Sequence, residues 1–287
     1  MIDLHTHSTF SDGSLTPAEL VKEAKRIGLT AIALTDHDST GGLDLFLAAC
    51  RKHGVTGIPG VEISADCKHG TMHMLGYHIN PSEVGLQAVL EKIRDGRSSR
   101  NQEIIRKLNE LGLELSWNEV KAYAGEDVVG RPHFAQALVA RGYVSSKERA
   151  FDLYLAKGKP GYIDRLKMTP ADSIQAIVGA DGIAVLAHPF TLGLGGKDLK
   201  KCIEELRDAG LRGMEVFYSE HSPVQVEEYR KLAVELGLVA TGGSDFHGKA
   251  NPRISLGRGF GPLNVPDAVV EDLETARRGG KPANRCS

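Results

Sequence analysis

Short apolar runs of strand length alternate along this chain with segments whose apolar residues recur at helical spacing. No other feature restricts the fold as strongly. Residues 2–7 read as a strand. Thr16-Pro17-Ala18-Glu19 then opens a helix: Thr16 is a good N-cap, Pro17 suits the first helical position, and Glu19 completes a reciprocal capping box. Gly28 closes that helix. A buried strand is expected at 30–35, a helix at 42–53, a strand leading to Val61-Glu62-Ile63, and another strand at 73–79. Later, Thr169-Pro170 opens a helix, 182–187 is a strand, 198–210 a helix and 213–217 a strand. Ser222-Pro223-Val224-Gln225 caps a helix running to Gly237, and 238–241 is the last strand. Strands separated by helices imply a parallel sheet, and about seven such units suggest a closed or nearly closed α/β barrel, with an open doubly wound sheet as the alternative.

Between residues 81 and 159 the rhythm fails. Ile104, Ile105, Leu108 and Leu111 recur at helical spacing, as do Phe134, Leu138 and Val139, and no strand is evident. The expected organisation is a barrel made of 1–80 and 160–287, with a helical insertion at 81–159 serving as a cap or substrate-specificity subdomain. A chain of 287 residues, 41% hydrophobic and 25% charged, can bury a sizeable core. Its net charge of −2 argues against a strongly basic nucleic-acid binder. Cys50, Cys67, Cys202 and Cys286 form no C-x-x-C pair and are expected as free thiols in a reducing compartment. Met1-Ile2-Asp3-Leu4-His5 does not read as a signal peptide, and no apolar run reaches the roughly 18 residues of a membrane span. The expectation is a cytoplasmic protein with no membrane association and no stable protein partner.

The histidines carry the chemistry. His5 and His7 end the first strand, His37 follows the second in Thr35-Asp36-His37-Asp38, and His188 follows a later one in Ala187-His188-Pro189. His247 comes after the last, in Ser244-Asp245-Phe246-His247. Glu62 also ends a strand, and His73 begins one. In a parallel barrel the C-terminal strand ends meet at one rim, so these residues converge. His5 and His7 lie two apart and share a face, a spacing that Asp245 and His247 repeat. Polar groups gathered inward are costly without a common partner, and imidazole with carboxylate suits manganese, zinc or iron. His53, His69 and His78 fit no motif and are read as structural or surface residues.

The ordered set Asp3-Leu4-His5-Thr6-His7-Ser8, Ser11-Asp12-Gly13, Thr35-Asp36-His37-Asp38, Pro59-Gly60-Val61-Glu62, Ala187-His188-Pro189 and Ser244-Asp245-Phe246-His247 closely resembles the PHP (polymerase and histidinol phosphatase) family over essentially the whole chain. The resemblance implies a distorted (β/α)7 barrel and two or three divalent ions, with Mn2+ expected and Zn2+ or Fe2+ as alternatives. It assigns His5, His7, Glu62 and Asp245 to a first ion. Glu62 bridges to a second held by His73 and His188, and Asp12, His37 and His247 hold a third. It further implies a metal-dependent phosphoric monoester hydrolase using a metal-activated hydroxide, since a metal lowers the pKa of its water from about 15.7 to about 7. Glu62, Asp245, His188 and His247 are then the expected catalytic groups, with His188 or His247 assisting the leaving oxygen.

Gly130-Arg131-Pro132-His133, Gly158-Lys159-Pro160-Gly161-Tyr162 and Glu215-Val216-Phe217-Tyr218-Ser219 resemble the branch of that family containing 3′,5′-nucleoside bisphosphate phosphatases and 5′→3′ oligoribonucleases. This implies a small nucleotide substrate such as adenosine 3′,5′-bisphosphate, losing its 3′-phosphate to leave the 5′-nucleotide. Arg131 and Lys159 are the expected contacts to a second phosphate. His133, Tyr218, Ser219 and His221 are further substrate candidates. The alternatives are 5′→3′ exonuclease action on short RNA, histidinol-phosphate phosphatase activity, and a degenerate, non-catalytic metal-binding module.

Overall fold

A computed structural model describes residues 1–68, 70–124, 129–164, 167–261, 263–280 and 284; His69 and Cys286 lie outside them. The chain forms two compact units, Met1–Leu90 with Met168–Ser287, and Glu91–Lys167.

The first unit begins with β1 (Ile2–Asp3), α1 (Pro17–Arg26), β2 (Ala31–Leu34), α2 (Leu43–His53), β3 (Thr56–Ala65) and β4 (Met72–Tyr77). α3 (Val84–Glu110) leaves it and continues into the second unit, which adds α4 (Trp117–Lys121), α5 (Arg131–Ala140), α6 (Lys147–Ala150) and a π-helical turn at Phe151–Leu155. The first unit resumes with α7 (Pro170–Gly179), β5 (Ile183–Leu186), α8 (Gly196–Asp208), β6 (Gly213–Tyr218), α9 (Pro223–Leu236), β7 (Val239–Gly243) and α10 (Val269–Arg277). Thr16 with Glu19, and Ser222 with Gln225, make the reciprocal caps their spacing predicts.

The seven strands lie side by side in chain order. Leu4 N–H donates to Gly242 O at 3.3 Å, and Thr6 bridges Phe246, which brings the first strand back to the last and makes a nearly closed barrel. Ile2, Leu4, Ala33, Ile58, Leu75, Val185 and Val239 share one buried core. Val269, Leu273 and Ala276 of α10 present one helical face to it.

The sheet is not uniformly parallel. β4 pairs antiparallel with both β3 and β5. The reason is the length of the β3–β4 link, residues 66–71, which is too short for a parallel crossover of about a dozen residues or more. Reversal matters for function. His73 is the second residue of β4 and pairs with Ser64 near the end of β3, so the start of a reversed strand supplies the same rim as the ends of the others.

The first strand is also shorter than residues 2–7. Beyond Asp3, side chains replace ladder bonds: Thr6 Oγ1 donates to Ala33 O at 2.6 Å, and Thr6 N–H donates to Thr35 Oγ1 at 3.2 Å. The helical insertion expected at 81–159 overlaps the unit Glu91–Lys167, and α3 runs unbroken from the first unit into it. That unit has its own core, including Ile104, Leu108, Val120, Phe134, Leu138 and Leu155, and no strand among its described residues. No helix among the described residues is long and apolar enough to cross a membrane.

Candidate metal centre

The barrel rim brings every expected ligand into one cluster around Glu62. This carboxylate, on β3, is fully buried. Its Oε2 faces His37 Nδ1 at 2.9 Å, and His5 Nε2 and His7 Nε2 each at 3.3 Å. Its Oε1 faces His73 Nδ1 at 2.7 Å and His188 Nε2 at 3.1 Å. Asp245 Oδ1 lies 3.1 Å from His7 Nε2 and 3.4 Å from His5 Nε2. Asp12 Oδ1 lies 3.1 Å from His247 Nε2. Three sets of donor atoms are compact enough to hold an ion each: His5, His7 and Asp245; His7, Asp12, His37 and His247; and His37, Glu62 and His73. His7 and His37 each belong to two sets, so the division is less clean than three separate ligand groups.

These residues pass a direct test of fit. His5 Nε2, His7 Nε2, His37 Nδ1, Asp12 Oδ1 and Glu62 Oε2 are buried and have no hydrogen-bond partner. Buried polar atoms are normally paired. Imidazole nitrogens and carboxylate oxygens aimed at one another are a donor set for divalent ions.

The far side of four rings is pinned. His5 Nδ1–H donates to Glu215 Oε1 at 3.1 Å. His7 Nδ1–H donates to Ser11 Oγ at 3.4 Å, and the Ser11 hydroxyl donates in turn to Asp36 Oδ1 at 2.6 Å. His188 Nδ1–H donates to Thr191 Oγ1 at 3.0 Å, and His247 Nδ1–H to Asp245 O at 2.9 Å. Each bond leaves Nε2 as the nitrogen that faces the cluster. His188 and His247 thus have both nitrogens engaged.

Backbone geometry completes the rim. A Cβ on Gly13 would sit 2.3 Å from His7 O, and one on Gly243 would sit 2.3 Å from His5 N, so both close approaches require glycine. Asp38, His188 and Asp245 have φ of 51°, 24° and 58°, a region that residues with side chains visit rarely. Two further buried carboxylates brace the loops. Asp3 accepts from Ser244 N and Oγ at 2.8 and 2.5 Å and from Gly257 N at 2.7 Å; Asp36 accepts from Ser8 N and Oγ at 2.7 and 2.6 Å. Burial pushes both carboxyls above their usual range despite these donors.

The cluster's own charges are strongly coupled. Burial opposes ionisation of Asp12, Glu62 and Asp245, but the surrounding histidines outweigh it and hold all three well below the usual carboxylate range. Burial opposes protonation of His37 and His247 too. Glu62 with Asp12, and Asp12 with Asp245, more than offset it, pushing the two up to about 9 and about 10. For His73 burial wins, and it falls to about 4.

The expected substrate contacts on β6 and beyond are bonded to the protein itself. Tyr218, buried, donates its hydroxyl to Asp245 Oδ2 at 2.9 Å, and Ser219 Oγ donates to Ser244 O at 2.6 Å. His221 Nδ1–H donates to Val216 O at 2.8 Å. All three support the loop that carries Asp245 or the strand beneath it. In the helical unit, His133 Nδ1 accepts from Gly130 N at 3.0 Å, which serves the start of α5. Arg131 donates to Leu155 O at 3.1 Å with its guanidinium 5.2 Å from the Tyr162 ring centre, and Lys159 is exposed. Sequence reasoning missed the bracing roles of Asp3, Asp36 and Glu215. The available signal was an acid next to, or inside, an apolar strand.

The sequence pattern of the family described as PHP domain matches residues 3–164. The 3′,5′-nucleoside bisphosphate phosphatase of Chromobacterium violaceum is 37% identical over 247 residues, covering 86% of this chain and 87% of that protein. A 5′-3′ exoribonuclease of Haemophilus influenzae is 34% identical over 268 residues, covering 93% and 96%. The crystal structure of a provisionally described metal-dependent phosphoesterase from Bifidobacterium adolescentis superposes with a TM-score of 0.84 at 31% identity, covering 96% of each chain.

Proposed function

This chain belongs to the PHP family, and on that premise we propose that it removes the 3′-phosphate of nucleoside 3′,5′-bisphosphates, leaving the 5′-nucleotide. It is a hydrolase of phosphate esters. The observation that carries the reading is Glu62, a buried carboxylate whose two oxygens face five histidines from four segments of chain. The relative named for that reaction, alike over most of both chains, supplies the substrate.

The rim would hold three divalent ions, manganese by preference, with zinc and iron compatible with the same donors. His5, His7, Glu62 and Asp245 would take the first. Glu62, His73 and His188, with His37 beside them, would take the second. Asp12, His37 and His247 would take the third. Bound there, divalent ions activate water and offset the charge of the phosphoryl oxygens. The chain's part is to set the spacing of the site through Glu62 and to keep Nε2 of His5, His7, His188 and His247 turned inward through the far-side bonds. Arg131 and Lys159 are assigned to the second phosphate, the feature that separates a bisphosphate from a simple ester. A cytoplasmic location is proposed with that substrate.

The test is phosphate release from adenosine 3′,5′-bisphosphate by manganese-loaded protein, with histidinol phosphate and simple alkyl phosphates in the same panel. Turnover of the simple esters alone would sink the assignment. The second reading is 5′→3′ removal of nucleotides from short RNA, favoured by the Haemophilus influenzae relative. A labelled oligomer decides it: a ladder shortening from the 5′ end supports it, and an intact oligomer excludes it.

A further inference from the structure

Glu215 is a buried acid in a run of apolar strand residues, Gly213–Tyr218. It does not face the ions the rim would hold, and the proposed reaction gives it no task. A carboxylate in such a place is costly unless its oxygens are met by donors. Both are. Oε1 accepts from His5 Nδ1 at 3.1 Å, and Oε2 accepts from the backbone N–H of His188 at 2.8 Å. One side chain therefore grips two ligands whose positions in sequence are far apart, one by its ring and the other by its main chain.

Three comparisons single it out. Of the four histidines pinned from behind, His5 is the one whose far-side hydrogen bond goes to a carboxylate; the others bond two hydroxyls and a carbonyl, with Asp245 Oδ1 also 3.5 Å from His247 Nδ1. The His188 amide it holds belongs to a residue at φ 24°, a conformation that needs outside support. Asp3 and Asp36, the other bracing acids, bond to main-chain amides and serine hydroxyls and touch no ligand ring.

We propose that Glu215 is a positioning residue of the metal centre. It turns the His5 ring so that Nε2 faces Glu62 and Asp245, and it fixes the His188 main chain so that the ring reaches the other oxygen of Glu62. It thereby keeps donors for two neighbouring ions in register. This rests on reading the rim as a metal centre.

The experiment titrates manganese calorimetrically into protein stripped by a chelator, for the unaltered chain, Glu215→Gln and Glu215→Asp, with circular dichroism to confirm folding. Glutamine offers one acceptor where two donors must be met, so it must release His5 or His188. The expected result is a loss of manganese affinity of about 10–100-fold in Glu215→Gln, the usual effect of removing such a partner. A smaller loss is expected in Glu215→Asp, which keeps the carboxylate but withdraws it by one methylene. Activity of both variants should recover toward that of the unaltered protein as manganese is raised, with KM little changed. Equal affinity in a folded Glu215→Gln protein overturns the inference. If that variant does not fold, Glu215→Asp decides: affinity equal to the unaltered chain overturns the inference, and a loss supports it. Failure of the unaltered protein to bind manganese overturns the metal centre itself, and this inference with it.

Discussion

The barrel rim and the helical unit are held together by different kinds of side chain. At the rim, buried and half-buried acids and histidines from residues 5 to 247 face one another and leave several polar atoms without partners. In Glu91–Lys167 the hydrophobic core is local, Arg97, Arg100 and Asn101 are buried as well, and Arg131 is bonded to its own unit through Leu155 O and Tyr162. The rim thus gathers acids and imidazoles compatible with divalent ions, whereas the helical unit rests on a hydrophobic core of its own. The first should fail chemically when one donor is lost. The second should fail by losing packing or by losing grip on part of a substrate.

The largest effect is expected from Asp245→Ala, which removes a donor shared by His5 and His7. Turnover should fall by about 10³-fold or more, on the scale of losing an electrostatic stabiliser, while circular dichroism stays native. Unaltered turnover would count against the whole rim. Leu108→Ala should destabilise the helical unit by about 2–5 kcal/mol through cavity formation. Hydrogen exchange should quicken within 91–167, and manganese affinity at the rim should hold. A parallel loss of manganese affinity would erase the distinction between the two regions.

Acidity offers a subtler break. In the metal-free protein His37 and His247 are pushed up to about 9 and about 10 from 6.5. The stability they contribute is therefore complete below about pH 6.5 and is lost as pH rises through 9 and then 10. Metal ligands must shed those protons, so loading has the opposite slope. Between pH 7.5 and 6.5, manganese affinity should fall by up to about 100-fold, about tenfold per displaced proton. Titrations in buffers of different ionisation enthalpy should report the proton release; no buffer dependence would contradict it. The smallest effect belongs to Arg131→Ala, for which KM for a nucleoside bisphosphate should rise about tenfold and KM for a simple phosphate monoester should not move. Equal changes for both substrates would remove Arg131 from the second phosphate.

The sequence made the rim legible because metal ligation needs rare residue types at strand ends. His5 with His7, and Asp245 with His247, carry that signal in a few residues each. The helix starts were legible for a similar reason, since Thr16 with Glu19 and Ser222 with Gln225 satisfy local bonds. The reversal of β4 was missed because apolar patterning carries no direction; only the short link before Met72 does. Glu215 was passed over as a site residue because an acid on a strand reads the same whether it meets solvent or a histidine from the far end of the chain. The insertion boundary was hidden because α3 crosses it without a cap or break.

The reversed strand also sets a timetable. β3 and β4 are neighbours in the chain, so His37, Glu62 and His73 can come together once the first third has left the ribosome, N-terminus first. His188 arrives much later, and Asp245 and His247 near the end, on a loop braced by Asp3 from the beginning. A chain cut short before Asp245 could collect an ion between β3 and β4 yet never close the rim. Full occupancy of the proposed centre would thus require synthesis to have passed His247.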